Sequence, residues 1–129
     1  MCCLFLLAIG CNSGKSGLKG KVVFSDDQTP LDGGTVCFVS DQGISRGAIG
    51  KDGSYVAGSI GANDGLPPGN YRIYFMDTEL YEDVPGGGLP KMIRRIDAKY
   101  ESPDTSGLTL EVKKSMTHDI HVDRYGGSR

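Results

Sequence analysis

Near its end the chain reads His118-Asp119-Ile120-His121-Val122-Asp123, the one stretch whose residue types have metal-ligand chemistry. If this segment is a strand, alternation puts Asp119, His121 and Asp123 on one face and His118, Ile120 and Val122 on the other. Three donors along one face hold a divalent ion only when a neighbouring element adds a fourth. The competing expectation is the solvated face of an edge strand, its charges discouraging pairing between sheets. That second reading is adopted, with no metal and no cofactor expected. Asp26, Asp27 and Asp32 suggest calcium by composition. They lack the Asp-x-Asp-x-Asp-Gly loop and its closing Glu, so they read as turn residues.

Nucleophilic catalysis needs a Ser or Cys held by a His. No serine lies in a Gly-x-Ser-x-Gly elbow, and Gly58-Ser59-Ile60-Gly61 has the wrong spacing. Cys37 sits inside the apolar run Val36-Cys37-Phe38-Val39, where a buried, unreactive thiol is expected. Gly86-Gly87-Gly88 is not followed by Lys-Ser or Lys-Thr, so a phosphate-binding loop is not expected. The cysteines lack zinc spacing. With no converging acid, base and nucleophile, the chain reads as a non-enzyme.

Composition narrows the partners. The net charge is −2, from 14 basic and 16 acidic residues, which leaves no electrostatic footprint for nucleic acid. Trp is absent, and with it the best stacking platform for sugars or bases. Glycine supplies 20 of 129 residues, roughly double its usual share of about 7%. Together with six prolines and short alternating apolar runs, this implies many turns and few helices.

The elements that must position any site are therefore strands. Leu18, Gly20, Val22 and Phe24 alternate with Lys19 and Lys21, giving a first strand. A second, at 35–40, is apolar on both faces. Strands at 44–49 and 54–58 flank Gly50-Lys51-Asp52-Gly53, where Asp-Gly is a hairpin signal. Leu66-Pro67-Pro68-Gly69 introduces the clearest period-2 segment, Tyr71, Ile73 and Phe75 against Arg72, Tyr74 and Met76. Leu108, Leu110 and Val112 alternate with Thr109, Glu111 and Lys113, and a last strand covers 118–122. Seven short strands with turn signals between them predict an all-β, seven-stranded antiparallel β-sandwich, with a small open barrel as the alternative.

Between 77 and 107 the alternation fails, over a length unusual for a plain connection. A short helix at 91–98 is the one element this stretch suggests. It is the candidate binding loop, because extended loops on rigid sandwiches often carry binding. Tyr81, Met92, Arg94, Arg95 and Tyr100 are the residue types that anchor interfaces. The structural alternative is that Tyr100 and Pro103 close one end of the sandwich.

The N-terminus, Met1-Cys2-Cys3-Leu4-Phe5-Leu6-Leu7-Ala8-Ile9-Gly10-Cys11, resembles a bacterial lipoprotein leader ending in a lipobox. The run is too short for a membrane span of about 20 residues, and short even for a signal peptide. It reads as a leader, 1–10, whose start has been clipped. The resemblance implies cleavage before Cys11 and acylation of its thiol. A polar tether, 11–17, and a domain at 18–125 would follow. Cys2 and Cys3 would leave with the leader, so Cys37 would remain as a free thiol without a disulfide.

Gly20-Lys21-Val22-Val23-Phe24, Thr29-Pro30-Leu31-Asp32-Gly33-Gly34-Thr35-Val36, Asp52-Gly53-Ser54-Tyr55 and Leu66-Pro67-Pro68-Gly69-Asn70-Tyr71-Arg72-Ile73 occur in this order. In order and spacing they resemble carboxypeptidase regulatory-like domains, the transthyretin (prealbumin)-like sandwich. Lys99-Tyr100 and Thr105-Ser106-Gly107-Leu108-Thr109 extend the resemblance to small bacterial lipoproteins built from this domain alone. It implies a Greek-key sandwich and no catalysis, because the zinc chemistry of carboxypeptidases belongs to a different domain. The expectation is a non-catalytic lipoprotein of the cell envelope, exported across the cytoplasmic membrane and held there by its lipid. Its expected role is a structural or binding module, with an envelope protein or a carbohydrate as the possible partner. A carbohydrate-binding module, with tyrosines as its platform, is the alternative; a metal-binding envelope protein is the next.

Overall fold

The computed structural model describes residues 16–41, 43–58 and 65–126. The leader expected at 1–10 and Cys11 lie outside them, as does most of the expected tether. Among the described residues ten strands form, three more than the alternation predicts. One sheet holds β1 (Leu18–Phe24), β4 (Ser54–Val56), β9 (Met116–Thr117) and β10 (Ile120–Val122), with β1 between β4 and the β9–β10 side. The second sheet runs β3 (Gly43–Ala48), β2 (Thr35–Ser40), β5 (Gly69–Met76), β8 (Thr109–Val112). A separate two-stranded arm pairs β6 (Leu80–Glu82) with β7 (Lys91–Ile93).

The two sheets face each other across one core because their alternation is in phase. Val36 and Phe38 of β2, Tyr71, Ile73 and Phe75 of β5, and Val112 of β8 are buried. So are Leu18, Val22 and Phe24 of β1, Tyr55 of β4, and Ile120 and Val122 of β10. Phe38 and Tyr55 join the sheets ring against ring, centroids 5.8 Å apart. At one margin the sheets also touch through backbone, where Arg46 and Gly58 exchange hydrogen bonds of 2.8 Å. The architecture is all-β with several antiparallel pairings, as a β-sandwich requires.

Three expectations need correction. First, the sheets are not wholly antiparallel: β1 pairs in parallel with both β9 and β10. Second, the strand expected at 118–122 is broken. His118 and Asp119 step across Gly20, where an added Cβ would lie 1.9 Å from the His118 carbonyl oxygen. Here the Asp119 carboxylate accepts the Lys21 N–H at 3.0 Å, the donor that a regular ladder would give to a backbone carbonyl. The buried Tyr55 hydroxyl donates to the His118 carbonyl at 2.6 Å, fixing the step from the core side. Third, 91–98 is not a helix: Lys91–Ile93 forms β7, and only a 3-10 turn appears, at Ala98–Glu101. Pro90 fixes the chain entering this segment, and pairing with 80–82 then satisfies the backbone.

The registers also set direction. Ser16 pairs with Leu66, just ahead of β5, while Thr35 pairs with Met76 at its far end. The N-terminal end of β1 and the arm that follows β5 therefore lie at opposite ends of an eight-residue strand, about 25 Å apart. We call the arm end distal.

Candidate binding face at the distal end

The turn chemistry of the first and last segments builds the distal end. Asp27 accepts the Thr29 N–H at 3.1 Å and its hydroxyl at 2.7 Å. These bonds, first of all, hold its carboxyl below the usual range. Arg124 reaches back from the end of β10, donating to Asp26 at 3.0 Å, Asp27 at 3.2 Å and Thr29 at 3.2 Å. Its guanidinium lies 3.9 Å over the Phe24 ring. Next to it, 95–97 pairs with 123–125: the Asp97 N–H reaches the Asp123 carbonyl and the Tyr125 N–H the Arg95 carbonyl, both at 3.0 Å. This ladder brings Arg94 and Arg95 beside Arg124.

The five binding-loop candidates separate by role. Tyr81 and Met92 lie on the arm with 66% and 46% of their surface exposed, beside exposed Leu80 and Leu89. Arg94 pairs with Glu101 and sits 6.0 Å from the Tyr125 ring centroid. Arg95 is a tie: its Nε donates to the Thr78 carbonyl at 2.7 Å and its Nη1 to Asp32. It fastens the arm to the turn at 31–34. Tyr100 is buried edge-on against Phe75, and its hydroxyl accepts the Asp123 N–H at 3.0 Å. Tyr100 therefore presents its ring to the core and little surface to an interface.

A cleft of about 550 Å³ opens between arm and sandwich. Lys51, Arg94, Arg95 and Arg124 line it, with Asp32 the lining carboxylate and Tyr125 and Leu80 among its apolar surfaces. Lys51, Arg124 and Tyr125 were not legible as a group, since the turn at 50–53 and the chain end are far apart in sequence. Alternation along the last strand, followed two residues past Val122, is the signal that carries Arg124 toward this end. A second concavity, about 600 Å³, lies at the opposite end and is lined by Asp41, Asn70, Arg72 and Glu111 among others.

The metal-ligand candidates are each engaged elsewhere. Asp119 caps Lys21, the His121 Nε2 lies 3.2 Å from Gln28 Oε1, and Asp123 accepts from Ser25 at 2.7 Å and Lys99 at 3.2 Å. Those two bonds, Ser25 first, pull the Asp123 carboxyl below its usual range. Among the described residues no three His, Cys, Asp or Glu side chains gather where an ion could sit. Cys37 is buried and unpaired with sulfur; burial pushes its thiol up, with Tyr74 and Arg46 as polar neighbours. No helix among the described residues is long and apolar enough to cross a membrane.

The fold defines a β-sandwich carrying a two-stranded arm. No family model matches the chain, and no curated protein does. Solved structures do resemble it. A DUF3823 family protein from Bacteroides ovatus shares 21% identity with a TM-score of 0.52, over 86% of this chain and 45% of its own. Another from Parabacteroides merdae shares 18% at 0.51, over 86% and 47%. BcpA, the major pilin subunit of Bacillus cereus, shares 10% at 0.50, over 85% and 30%. The chain thus spans less than half the length of each, and at these identities the likeness establishes the fold alone.

Proposed function

We propose that this chain is a non-catalytic binding module of the bacterial cell envelope, lipid-anchored at Cys11 and presenting its distal end to a partner. The observation that carries this reading is the polarity of the sandwich. The chain enters at one end, by Ser16 and Leu66, and the arm with its exposed Leu80, Tyr81, Leu89 and Met92 projects at the other. Cys11 lies five positions before Ser16, a reach of about 18 Å at most. An acyl chain on Cys11 would therefore keep the entry end near the lipid and turn the arm away from it. Two acyl signals give stable attachment where one gives little.

The finer fold in this proposal is the Greek-key, transthyretin-like sandwich of carboxypeptidase regulatory-like domains. Its support lies in turn chemistry: Gly53 adopts φ +83° after Asp52, which accepts the Ser54 N–H at 3.1 Å. The 66–69 turn launches β5 at Gly69, with the Tyr71 hydroxyl donating to the Pro67 carbonyl.

Mass spectrometry of the protein from its native cell tests the anchor. A mature N-terminus at Cys11 bearing diacylglycerol is expected, and Cys11→Ser should move the protein from the membrane to the soluble fraction. An unmodified N-terminus at Met1 would refute the reading. The carbohydrate-binding alternative keeps one specific support: Tyr81 and Tyr125 are exposed, at 66% and 53%, whereas Tyr55, Tyr71 and Tyr100 are buried.

A further inference from the structure

Although the chain carries a net charge of −2, the distal cleft reverses that sign: four cations line it against one carboxylate. The carboxylates that orient the guanidiniums, Asp26, Asp27 and Glu101, are not among its lining residues. A guanidinium has five N–H donors in a fixed fork. The bonds of Arg124 to Asp26, Asp27 and Thr29 run from Nε and Nη2, and the pair of Arg94 with Glu101 runs from Nη1. Among the described residues each fork thus retains donors for a further acceptor. Lys51 adds an exposed ammonium on the 50–53 turn between the two sheets, closed by the Gly53 N–H donating to the Gly50 carbonyl at 3.0 Å.

Two features indicate what the acceptor is attached to. Tyr125 lies in the same cleft, half exposed and steadied by the Arg94 guanidinium, so a flat apolar face stands beside the cations. The cleft volume, about 550 Å³, falls within the range of small-ligand sites. A carboxylate bound by Arg forks next to a ring face is the recognition pattern suited to a sugar acid, whose C–H face stacks while its carboxylate is chelated. A polyanion held by charge alone has no use for the ring.

We propose that the distal cleft binds a carboxylated saccharide of the uronic-acid class, with Arg94, Arg124 and Lys51 holding the carboxylates and Tyr125 the ring. This rests on the binding-module reading and names its ligand class. It does not depend on the lipid, so Cys11→Ser is expected to bind equally; that variant separates failure of the anchor from failure of the site.

The test is isothermal titration of the full chain with oligogalacturonate, alongside a neutral galactose oligomer and polyglutamate of matched charge. Binding of the uronate and not of the neutral oligomer is expected. Arg94→Gln and Tyr125→Ala should each weaken it about tenfold, the scale of one charge-assisted contact, and Lys51→Gln about threefold. Lys113→Gln, next to β8 at the opposite end, should leave it unchanged. Tyr125 and Lys51 are exposed, so their variants should melt with the parent and keep the result readable. The proposal is overturned by absence of uronate binding, by an equal effect of Lys113→Gln, or by polyglutamate binding as well as the uronate. The last outcome would assign the cleft to an acidic polypeptide.

Discussion

Replacing Gly20 by alanine is expected to lift the His118-Asp119 step away from β1. The new methyl carbon would lie 1.9 Å from the His118 carbonyl oxygen and 2.6 Å from its carbon. Both are backbone atoms, so relief requires the chain itself to move by more than an ångström. Three hydrogen bonds hold the step in place: Tyr55 hydroxyl to His118 carbonyl at 2.6 Å, His118 N–H to Lys19 carbonyl at 2.8 Å, and Lys21 N–H to Asp119 at 3.0 Å. At about 1 kcal/mol each, their loss costs about 3 kcal/mol. For a domain near 110 residues that lowers Tm by about 10 to 15 °C. Gly17→Ala is the control, because its methyl would meet only the Ser115 side chain, at an ordinary 3.5 Å. Circular dichroism melts of the three proteins decide the matter. A Gly20→Ala chain that melts within a degree or two of the parent would show that the step is not set by the missing side chain.

Further expectations concern protons, the thiol and the arm. The carboxyls of Asp27 and Asp123 sit below their ordinary value of 3.8 through hydrogen bonds from Thr29 and Ser25. Their contribution is present above that value and is lost as pH falls through the lowered folded values. Urea midpoints should therefore drop below pH 4, and drop less in Asp123→Asn. Burial raises the phenol of Tyr55 above its ordinary 10, so its contribution is complete below pH 10 and lost as pH rises beyond it; Tyr55→Phe should flatten that alkaline decline. Cys37, followed through its own peptide by mass spectrometry, should react with a thiol reagent only at the rate of unfolding, because it is buried; fast labelling at Cys37 in the native protein would contradict its placement. Limited proteolysis should cut first between Gly86 and Gly88, exposed residues at the tip of the arm, and leave the sandwich melting as before.

Strands β1, β3, β4 and β5 were legible because each buries one face. Tyr71, Ile73 and Phe75 alternate with Arg72, Tyr74 and Met76 in sequence and in the packing alike. Even the two-sided burial of β2 follows from Cys37, which is covered on the face away from the core. The arm was not legible for the same reason: Leu80, Tyr81 and Met92 are exposed, so no alternation marks it. Its pairing is set by backbone hydrogen bonding across an eight-residue connection. The broken strand at 118–119 escaped because its cause, Gly20, is 98 positions away from His118. The distal cations escaped likewise, since the partners of Arg124 lie 95 to 98 residues upstream.

The parallel pairing of β1 with β9 and β10 has a mechanical consequence. Suppose tension acts between the entry end of β1 and a load held at the distal arm. Force then runs along β1, which lies between β4 on one side and β9 and β10 on the other. Ladder bonds stand across the strand direction, so they are loaded together in shear, whereas a zipper would break them one at a time. The strand at the entry end is also the one locked on both flanks, so pull from the two ends would load both flanks at once.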